Sequence, residues 1–193
     1  MKFVSIVSGT SADGLTVISV ELNGYNRNTD FKISSGKTFP FSKKLRSRLL
    51  DAAEGSRLSA EEFSRLSWDL GNEIVRSVTS LDVDYDVISF SGHTIYHGPS
   101  LGRNDFGTLQ IGEISLLVAR SGKTAVSDYR ITDMSHRGLG APLIALSDYI
   151  IFGDSGIMTL NIGGIANITY LGKEGTIAFD TGPGNMLIDQ AMA

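Results

Sequence analysis

Residues 2–22, KFVSIVSGTSADGLTVISVEL, contain two β-strand patterns on either side of a glycine-containing turn. Residues 2–8 are mostly apolar, and residues 15–22 alternate between two sets of side chains with high β-propensity. The turn at residues 9–14 is short enough to join the two strands as a hairpin. A third strand is predicted at residues 31–39, so we expect the chain to begin as an antiparallel meander.

The same arrangement returns at residues 158–171, MTLNIGGIANITYL, where two strand patterns flank Gly163 and Gly164. A supersecondary unit that occurs twice, far apart in one chain, indicates two similar domains. We therefore predict a first domain at residues 1–153 and the beginning of a second at residues 157–193. The second domain is expected to be truncated.

The region between the two hairpins predicts an α/β fold with a mixed sheet. Helices are expected at residues 42–54 and 59–80, and the second begins with the capping box Ser59-x-x-Glu62. From residue 86 onward, a strand, a glycine-rich loop, a helix near 112–121 and a strand at 124–127 form a crossover, which adds parallel strands to the first sheet. Residues 131–151 are expected to be rich in helix, and a last helix is expected to begin at Pro183.

Composition excludes several classes of function. The 193 residues include 17 Lys and Arg against 21 Asp and Glu, and the net charge of -4 is not typical of a nucleic-acid-binding protein. No cysteine is present, which excludes disulfides, a cysteine nucleophile and a thiolate zinc site. Apolar stretches are short and the N-terminus lacks a signal-peptide pattern, so we expect a cytoplasmic protein with neither a membrane partner nor a nucleic-acid partner.

The two glycine turns are candidate phosphate-binding loops. Residues 8–14, SGTSADG, combine backbone N–H groups free of bulky side chains with three hydroxyl groups. Residues 161–167, NIGGIAN, form the second candidate. Hairpin turns are also rich in glycine for purely conformational reasons, so one such turn is weak support for phosphate binding.

Asp180 is a candidate catalytic residue. It lies between a predicted strand and a predicted helix N-terminus, where a carboxylate acts as a base or a magnesium partner or else caps the helix.

For two further groups of residues, a metal site and a binding patch are the less favoured interpretations. His93 and His97 are four residues apart in a segment predicted as strand and loop, whereas this spacing gathers metal ligands on one face only in a helix. A structural or substrate-binding role is therefore favoured over metal binding. The basic cluster of the first helix is interpreted as its solvated side and not as a binding patch; it consists of Lys43, Lys44, Arg46 and Arg48.

Seven segments carry a resemblance to a known family. They are SGTSADG (8–14), TLQIGE (108–113), VSDYR (126–130), DM (133–134), GLGAPL (138–143), LNIGGIANIT (160–169) and FDTGPGNMLID (179–189). In order and along the whole chain, they closely resemble the anhydro-N-acetylmuramic acid kinase family. The resemblance implies the actin-like ATPase fold, in which two ribonuclease-H-like domains close over a cleft for ATP and sugar. It also implies ATP-dependent hydrolytic opening of a 1,6-anhydro ring with phosphorylation of O6, which yields N-acetylmuramic acid 6-phosphate in cell-wall recycling.

The resemblance implies roles for individual residues as well. ATP would be bound by Gly9, Thr10, Ser11, Asp13, Gly14 and Thr16 of the first turn and by Gly163 and Gly164 of the second, with Mg²⁺ beside Asp13. Asp180 would be the base that activates water for attack on the anomeric carbon. Arg130 would help to hold the sugar, and Ser91, His93 and Thr94 would lie in the segment that shapes the sugar pocket.

Departures from the family pattern leave alternatives open. The family's SHGQTVWH is FSGHTIYH at residues 90–97, so that Ser91 replaces a His and His93 replaces a Gln. A kinase for a different anhydro-sugar is therefore one alternative, and a non-catalytic sugar-binding or regulatory module is another.

The family's proteins are longer, so the chain alone is expected to be inactive without the rest of the second domain. An unfinished domain also predicts a homo-oligomer or a complementing partner chain at residues 158–193.

Overall fold

The computed structural model describes residues 1–98, 107–153 and 155–192. The chain divides into two compact units, one formed by Met1–Asn23 and Asp30–Tyr129 and the other by Gly24–Thr29 and Arg130–Ala193. Compactness does not test the predicted domain boundary at residues 153–157, which stays a prediction. The predicted glycine-rich loop lies partly at residues 99–106, outside the described residues. Within the described ranges, none of the helices has both the length and the apolar character that a bilayer span requires.

The first unit contains a mixed β-sheet. The strands of this unit are β1 (Lys2–Val7), β2 (Gly14–Asn23), β3 (Asp30–Pro40), β4 (Val87–Phe90), β5 (His93–Gly98), β6 (Gly107–Ile111) and β7 (Thr124–Val126). Five of them form one sheet in the order β3-β2-β1-β4-β7. The β1–β2 and β2–β3 pairs are antiparallel, whereas β4 pairs in parallel with both β1 and β7. The predicted meander and the predicted α/β fold with a mixed sheet, as in an actin-like ATPase, are therefore confirmed.

Two helices, α1 (Lys43–Ala53) and α2 (Ala60–Leu81), supply apolar side chains to the core of the first unit. The predicted capping box is present at α2, because the Glu62 N–H donates to the Ser59 hydroxyl and the Ser59 N–H donates to the Glu62 carboxylate. Four α2 side chains at helical spacing are buried in this core; they are Leu66, Leu70, Ile74 and Val78. They share the core with residues of β1, β2 and β4, which are Val4, Ile6, Leu15, Val17, Ile88 and Phe90. Burial of each large apolar side chain contributes about 1.5–3 kcal/mol.

The segment at residues 93–111 differs from its predicted structure. Strands β5 and β6 pair as an antiparallel hairpin, with His93 opposite Ile111 and Gly98 opposite Gly107. Polar residues are frequent in both strands, so the alternation that reveals a strand is weak here. The next helix, α3 (Ser115–Ser121), begins later than the predicted residue 112, because Gly112 has a φ of +118°, outside the helical region.

The second unit repeats the antiparallel meander. Its elements are α4 (Tyr129–Ser135) from Arg130 onward, α5 (Ile144–Phe152), β8 (Ile157–Ile162), β9 (Ile165–Gly172), β10 (Gly175–Pro183) and α6 (Asn185–Met192). The strands form an antiparallel sheet in the order β10-β9-β8, which matches the β3-β2-β1 part of the first sheet. The predicted repetition of the N-terminal hairpin is therefore confirmed.

The last helix begins later than predicted. Pro183 pairs with Ile165 at the end of β10, and α6 begins at Asn185. The prediction of Pro183 as the first helical residue was wrong because β10 is an edge strand, where the missing N–H of proline is tolerated. The pairing register shifts between Asp180 and Gly182, so an irregularity separates Asp180 from the end of the strand.

Candidate active site

The first glycine turn, residues 8–14, joins β1 to β2 and has a defined conformation. The Ala12 N–H donates to the Gly9 carbonyl (3.0 Å), and the Phe41 N–H donates to the Asp13 carbonyl (3.0 Å). Ala12 is fully buried and has a φ of +51°. This left-handed conformation costs a residue with a Cβ about 1–2 kcal/mol. The turn is therefore held by packing on the core as well as by its own hydrogen bonds.

The two glycines at the ends of this turn differ in what the fold requires of them. A Cβ on Gly14 would overlap the Phe39 carbonyl, because β2 and β3 pair closely there. A Cβ on Gly9 would meet nothing closer than the Ser11 hydroxyl oxygen at 3.7 Å, and Gly9 is outside the left-handed region. Neither packing nor backbone conformation requires glycine at residue 9. The open space above Gly9 suits the close approach of an anionic group to the backbone.

Asp13 and Arg46 form an ion pair beside this turn. An Arg46 nitrogen lies 3.3 Å from the Asp13 carboxylate, and both side chains are largely exposed. The same guanidinium donates to the Ser11 carbonyl at 3.4 Å. Arg46 therefore contacts the first turn while remaining exposed, which is compatible with the interpretation of the basic cluster as the solvated side of the helix.

The carboxylate of Asp13 is the type of oxygen ligand that Mg²⁺ takes in proteins. No group of three or more His, Asp or Glu side chains in the described part of the chain is arranged to hold a metal ion. Mg²⁺ in phosphate-transfer sites commonly takes only one or two carboxylates, with phosphates and water as its other ligands. A single exposed carboxylate is compatible with that pattern, and the assignment of Mg²⁺ to Asp13 stays a prediction.

His93 supports the first turn from β5. Its Nδ1 lies 2.8 Å from the Ser8 hydroxyl oxygen, and only 1% of the residue is exposed. Burial lowers the pKa of His93 to about 4, so the imidazole is neutral at neutral pH. The sequence places His93 among the sugar-binding residues, whereas in the structure its side chain contacts Ser8 and has almost no surface to offer to a sugar.

The remaining predicted site residues of the first unit, which carry hydroxyl groups, differ in their surroundings. Ser91 and Thr94, on either side of His93, are partly buried, and the Ser91 hydroxyl has a long 3.5 Å contact with the Gly92 carbonyl. Thr10 is exposed in the turn. Thr16 lies on β2, where its hydroxyl oxygen is 3.0 Å from that of Thr38 on β3. Thr16 therefore contributes to strand pairing, whereas the Thr10 hydroxyl lies at the surface.

The second glycine turn, Gly163 and Gly164, joins β8 to β9 and is held by the start of α6. The Gly184 N–H donates to the Gly164 carbonyl (2.8 Å), and the Asn185 N–H donates to the Gly163 carbonyl (2.7 Å). A Cβ on Gly184 would overlap the Gly163 carbonyl, whereas a Cβ on Gly163 would meet nothing closer than the Ile165 carbonyl at 3.5 Å. Gly163, like Gly9, therefore has open space above it.

Asp180 lies on β10, directly opposite Asn167 of β9, and is exposed. The sequence places it between a strand and a helix, but β10 continues to Pro183. The side-chain oxygen of Asn167 is buried and lacks a hydrogen-bond partner among the described residues. The paired strand defines the backbone position of Asp180, and the exposed carboxylate is accessible, as a general base requires.

The charge of Asp180 affects the pKa of Arg130 on α4. Burial lowers the pKa of Arg130, and the Asp180 carboxylate acts in the opposite direction and raises it. Arg130 Nη1 donates to the Gly140 carbonyl at 2.6 Å, and its Nε is buried without a hydrogen-bond partner in the described part of the chain. The Asp180 carboxylate is therefore within electrostatic range of Arg130, although the two residues are far apart in the sequence.

Sequence reasoning missed the residues that support these groups. Ser8 holds His93, Arg46 pairs with Asp13, and Asp133 accepts a hydrogen bond from the Gly140 N–H at 2.8 Å. The sequence signal for Asp133 was its place in the DM segment, three residues after Arg130. Ser8 likewise lies in the SGTSADG segment, and Arg46 lies in the basic cluster of the first helix, but no sequence pattern indicated their partners, because each contacts a residue of another element.

The chain is similar to known proteins along its whole length. A family model described as anhydro-N-acetylmuramic acid kinase matches residues 1–193. A protein of that name from Caldanaerobacter subterraneus subsp. tengcongensis is 33% identical, with 98% of this chain and 52% of the relative covered. Relatives of the same name from Cyanothece sp. and Bacillus thuringiensis subsp. konkukian are 29% and 33% identical, with 54% and 53% of their lengths covered. The chain spans about half the length of the curated relatives that it matches.

Proposed function

The chain belongs to the anhydro-N-acetylmuramic acid kinase family, and on this premise we propose that it forms the first half of an ATP-dependent anhydro-sugar kinase. The proposed reaction opens the 1,6-anhydro ring of anhydro-N-acetylmuramic acid with water and phosphorylates O6, which gives N-acetylmuramic acid 6-phosphate. The substrates are then small molecules, and the proposed location is the cytoplasm, where ATP is available. No nucleic-acid or membrane partner is needed for this reaction.

The glycine turns are proposed to contact the phosphates of ATP. The open space above Gly9 and Gly163 supports this role, because the fold itself would accommodate a Cβ at both positions. In the first turn, the hydroxyls of Thr10 and Ser11 and the neighbouring backbone N–H groups are the proposed donors to phosphate oxygens. Mg²⁺ bound with ATP would neutralise charge on the phosphates, and Asp13 is the residue that we assign to it.

Asp180 is proposed as the general base. Its carboxylate removes a proton from a water molecule, whose oxygen bonds to the anomeric carbon while the bond from that carbon to O6 breaks. O6 then takes the phosphoryl group, and ADP leaves. Arg130, Ser91 and Thr94 are the proposed sugar contacts, with His93 as a support for the first turn. The exposed position of Asp180 on β10, opposite Asn167, is the observation that carries this proposal.

Turnover measurements test the assignment. We expect sugar-dependent ATP turnover when the chain is joined to the C-terminal half that its relatives possess, and none from the 193 residues alone. Asp180→Asn in the complete protein is expected to lower kcat by about 10²–10⁴-fold, the usual contribution of a general base. Asp189→Asn, on the exposed face of α6, is the matched control. No sugar-dependent turnover, or wild-type kcat in Asp180→Asn, would contradict the proposal.

The apolar surface of the second unit is proposed to contact a C-terminal half like the one that the relatives possess. Met158 (63% exposed), Leu160 (59%), Ile177 (60%), Phe179 (53%) and Leu187 (57%) lie on β8, β10 and α6. Exposed apolar side chains in this number are typical of an interaction surface. The relatives have about as much chain again, which supplies the proposed occupant. Without it, we expect a homo-oligomer in light scattering; a monomer at high protein concentration would contradict this.

A further inference from the structure

The backbone of Gly140 is held by two side chains of α4. Its N–H donates to Asp133 Oδ2 (2.8 Å), and its carbonyl accepts from Arg130 Nη1 (2.6 Å). Arg130 and Asp133 are three residues apart, so both lie on one face of the helix. Buried Gly140 therefore has both of its backbone polar groups bonded to the same helix face.

Close packing around this loop leaves no room for side chains. A Cβ on Gly140 would lie 2.8 Å from Arg130 Cγ and 2.8 Å from Met134 Cγ. A Cβ on Gly138 would overlap the Asp133 carboxylate. The Gly138 N–H also donates to the Asp133 carbonyl at 3.0 Å. The loop after α4 is therefore folded tightly onto Asp133, and glycine at both positions permits this.

The position of Arg130 depends on the same loop. A long arginine side chain keeps one orientation only where its nitrogens are bonded or packed. In Arg130, Nη1 is bonded to the Gly140 carbonyl, while Nε is buried without a hydrogen-bond partner among the described residues. The placement of Gly140 therefore determines where the guanidinium lies relative to Asp180.

We propose that Asp133 is a positioning residue for Arg130. Its carboxylate fixes the Gly140 N–H, which places the Gly140 carbonyl and, through it, the guanidinium of Arg130. The consequence for catalysis rests on the proposed function, in which Arg130 contacts the sugar and Asp180 is the base. The role requires a hydrogen-bond acceptor at residue 133 and not a charge. Asparagine therefore preserves it, and alanine abolishes it.

Side-chain NMR of the arginine Nε–H groups tests the placement in the 193-residue chain. The Arg130 signal, assigned by its loss in Arg130→Lys, is expected to exchange slowly with solvent because Nε is buried. Asp133→Ala is expected to speed this exchange by at least about tenfold, toward that of exposed Arg65, whereas Asp133→Asn keeps it slow. Ser135→Ala, which removes a hydrogen bond to the Thr132 carbonyl at the end of the same helix, is the matched control and is expected to keep it slow.

Three results would overturn the proposal: unchanged exchange in Asp133→Ala, fast exchange in Asp133→Asn, or fast exchange in Ser135→Ala. Gly138→Ala gives a second route if Asp133→Ala does not fold, because its Cβ displaces the carboxylate without removing it. We expect Gly138→Ala to speed the exchange of the Arg130 Nε–H in the same way. Slow exchange in folded Gly138→Ala would contradict the positioning role.

Kinetics of the complete kinase separate this inference from the proposed function. Asp133→Ala is expected to lower kcat/KM for the sugar by about 10–100-fold, mainly through a higher KM, while Asp133→Asn stays within about threefold of the wild type. A wild-type protein without turnover would remove the proposed function and leave the NMR result to decide the role of Asp133. Wild-type turnover together with unchanged KM in Asp133→Ala would overturn the positioning role alone.

Discussion

The Nδ1 atom of His93 lies 2.8 Å from the hydroxyl oxygen of Ser8, so one partly buried hydrogen bond joins β5 to the first glycine turn. The imidazole is almost completely enclosed, with 1% of the residue exposed. Because burial disfavours the charged form, the pKa of His93 is lowered to about 4. The stability of the region that supports the turn is therefore linked to protonation of this side chain.

Acid should destabilise the chain through His93. Between about pH 6.5 and about pH 4, the unfolded chain binds a proton at residue 93 and the folded chain does not, so the free energy of unfolding falls with the pH, by about 3 kcal/mol in total. Below the folded pKa both states are protonated and the loss ends. His93→Gln should lack this contribution, whereas His136→Gln, at an exposed position, should retain it. Urea denaturation across this range measures the difference, and parallel stability profiles for the wild type and His93→Gln would contradict it.

The two glycines of the first turn should respond differently to alanine. Gly14→Ala is expected to lower the free energy of unfolding by about 1–3 kcal/mol, because its Cβ overlaps the backbone of β3. Gly9→Ala is expected to change it by less than about 1 kcal/mol, since the site is open and the conformation is accessible to alanine. In the complete kinase, Gly9→Ala should still weaken ATP binding. Denaturation and calorimetry with ATP measure the two effects; similar destabilisation by both substitutions would be inconsistent with this account.

The second turn offers the equivalent comparison. Gly184→Ala should separate the start of α6 from the β8–β9 turn, because its Cβ overlaps the Gly163 carbonyl. Hydrogen exchange of the Asn185 amide, which donates to that carbonyl at 2.7 Å, should become faster. Gly163→Ala should leave the exchange unchanged, since its Cβ meets no atom closer than 3.5 Å. A protected Asn185 amide in Gly184→Ala would show that the contact does not depend on glycine.

Removal of one hydroxyl should destabilise the second unit. Asp148 of α5 is buried and accepts a hydrogen bond from the Thr159 hydroxyl of β8 at 2.6 Å. Thr159→Val keeps the shape of the side chain and removes this donor, with an expected cost of about 1–3 kcal/mol, typical of leaving a buried acceptor without its hydrogen-bond partner. Thr176→Val, on exposed β10, is the control. Equal unfolding free energies for the two variants would show that Asp148 is satisfied in another way.

Much of the fold was predictable because its signals are local. The capping box at Ser59 and Glu62 marks the start of α2, and strand patterns around glycine mark the β1–β2 and β8–β9 hairpins. The β5–β6 hairpin was not predicted, because polar residues weaken the alternation in its strands. The start of α6 was misplaced for a different reason. Pro183 is compatible with a helix N-terminus and with an edge strand, and only the pairing of β10 with β9 decides between them.

For the candidate site, sequence segments identified individual residues but did not predict their burial or their contacts. Arg130 and Asp180 were each identified in a segment that resembles the family, and the structure adds that they are electrostatically coupled. His93 was assigned to the sugar pocket from its segment alone, but its burial against Ser8 makes it a support for the first turn. Burial could not be predicted here, because it results from the packing of β5 beside the end of β1.

By itself, the sequence determined the α/β class, the repeated glycine hairpins and the membership of a kinase family. The α/β class and the hairpins depend on turn chemistry, helix capping and hydrophobic periodicity, which act over a few neighbouring residues, whereas the family membership rests on segments that resemble that family. Only the tertiary structure decided that Gly14 is needed for packing while Gly9 is not, and that Asp133 and Arg130 hold Gly140. These contacts join elements whose relative positions are set by strand register and core packing, so the physical interactions that create them exist only in the folded chain.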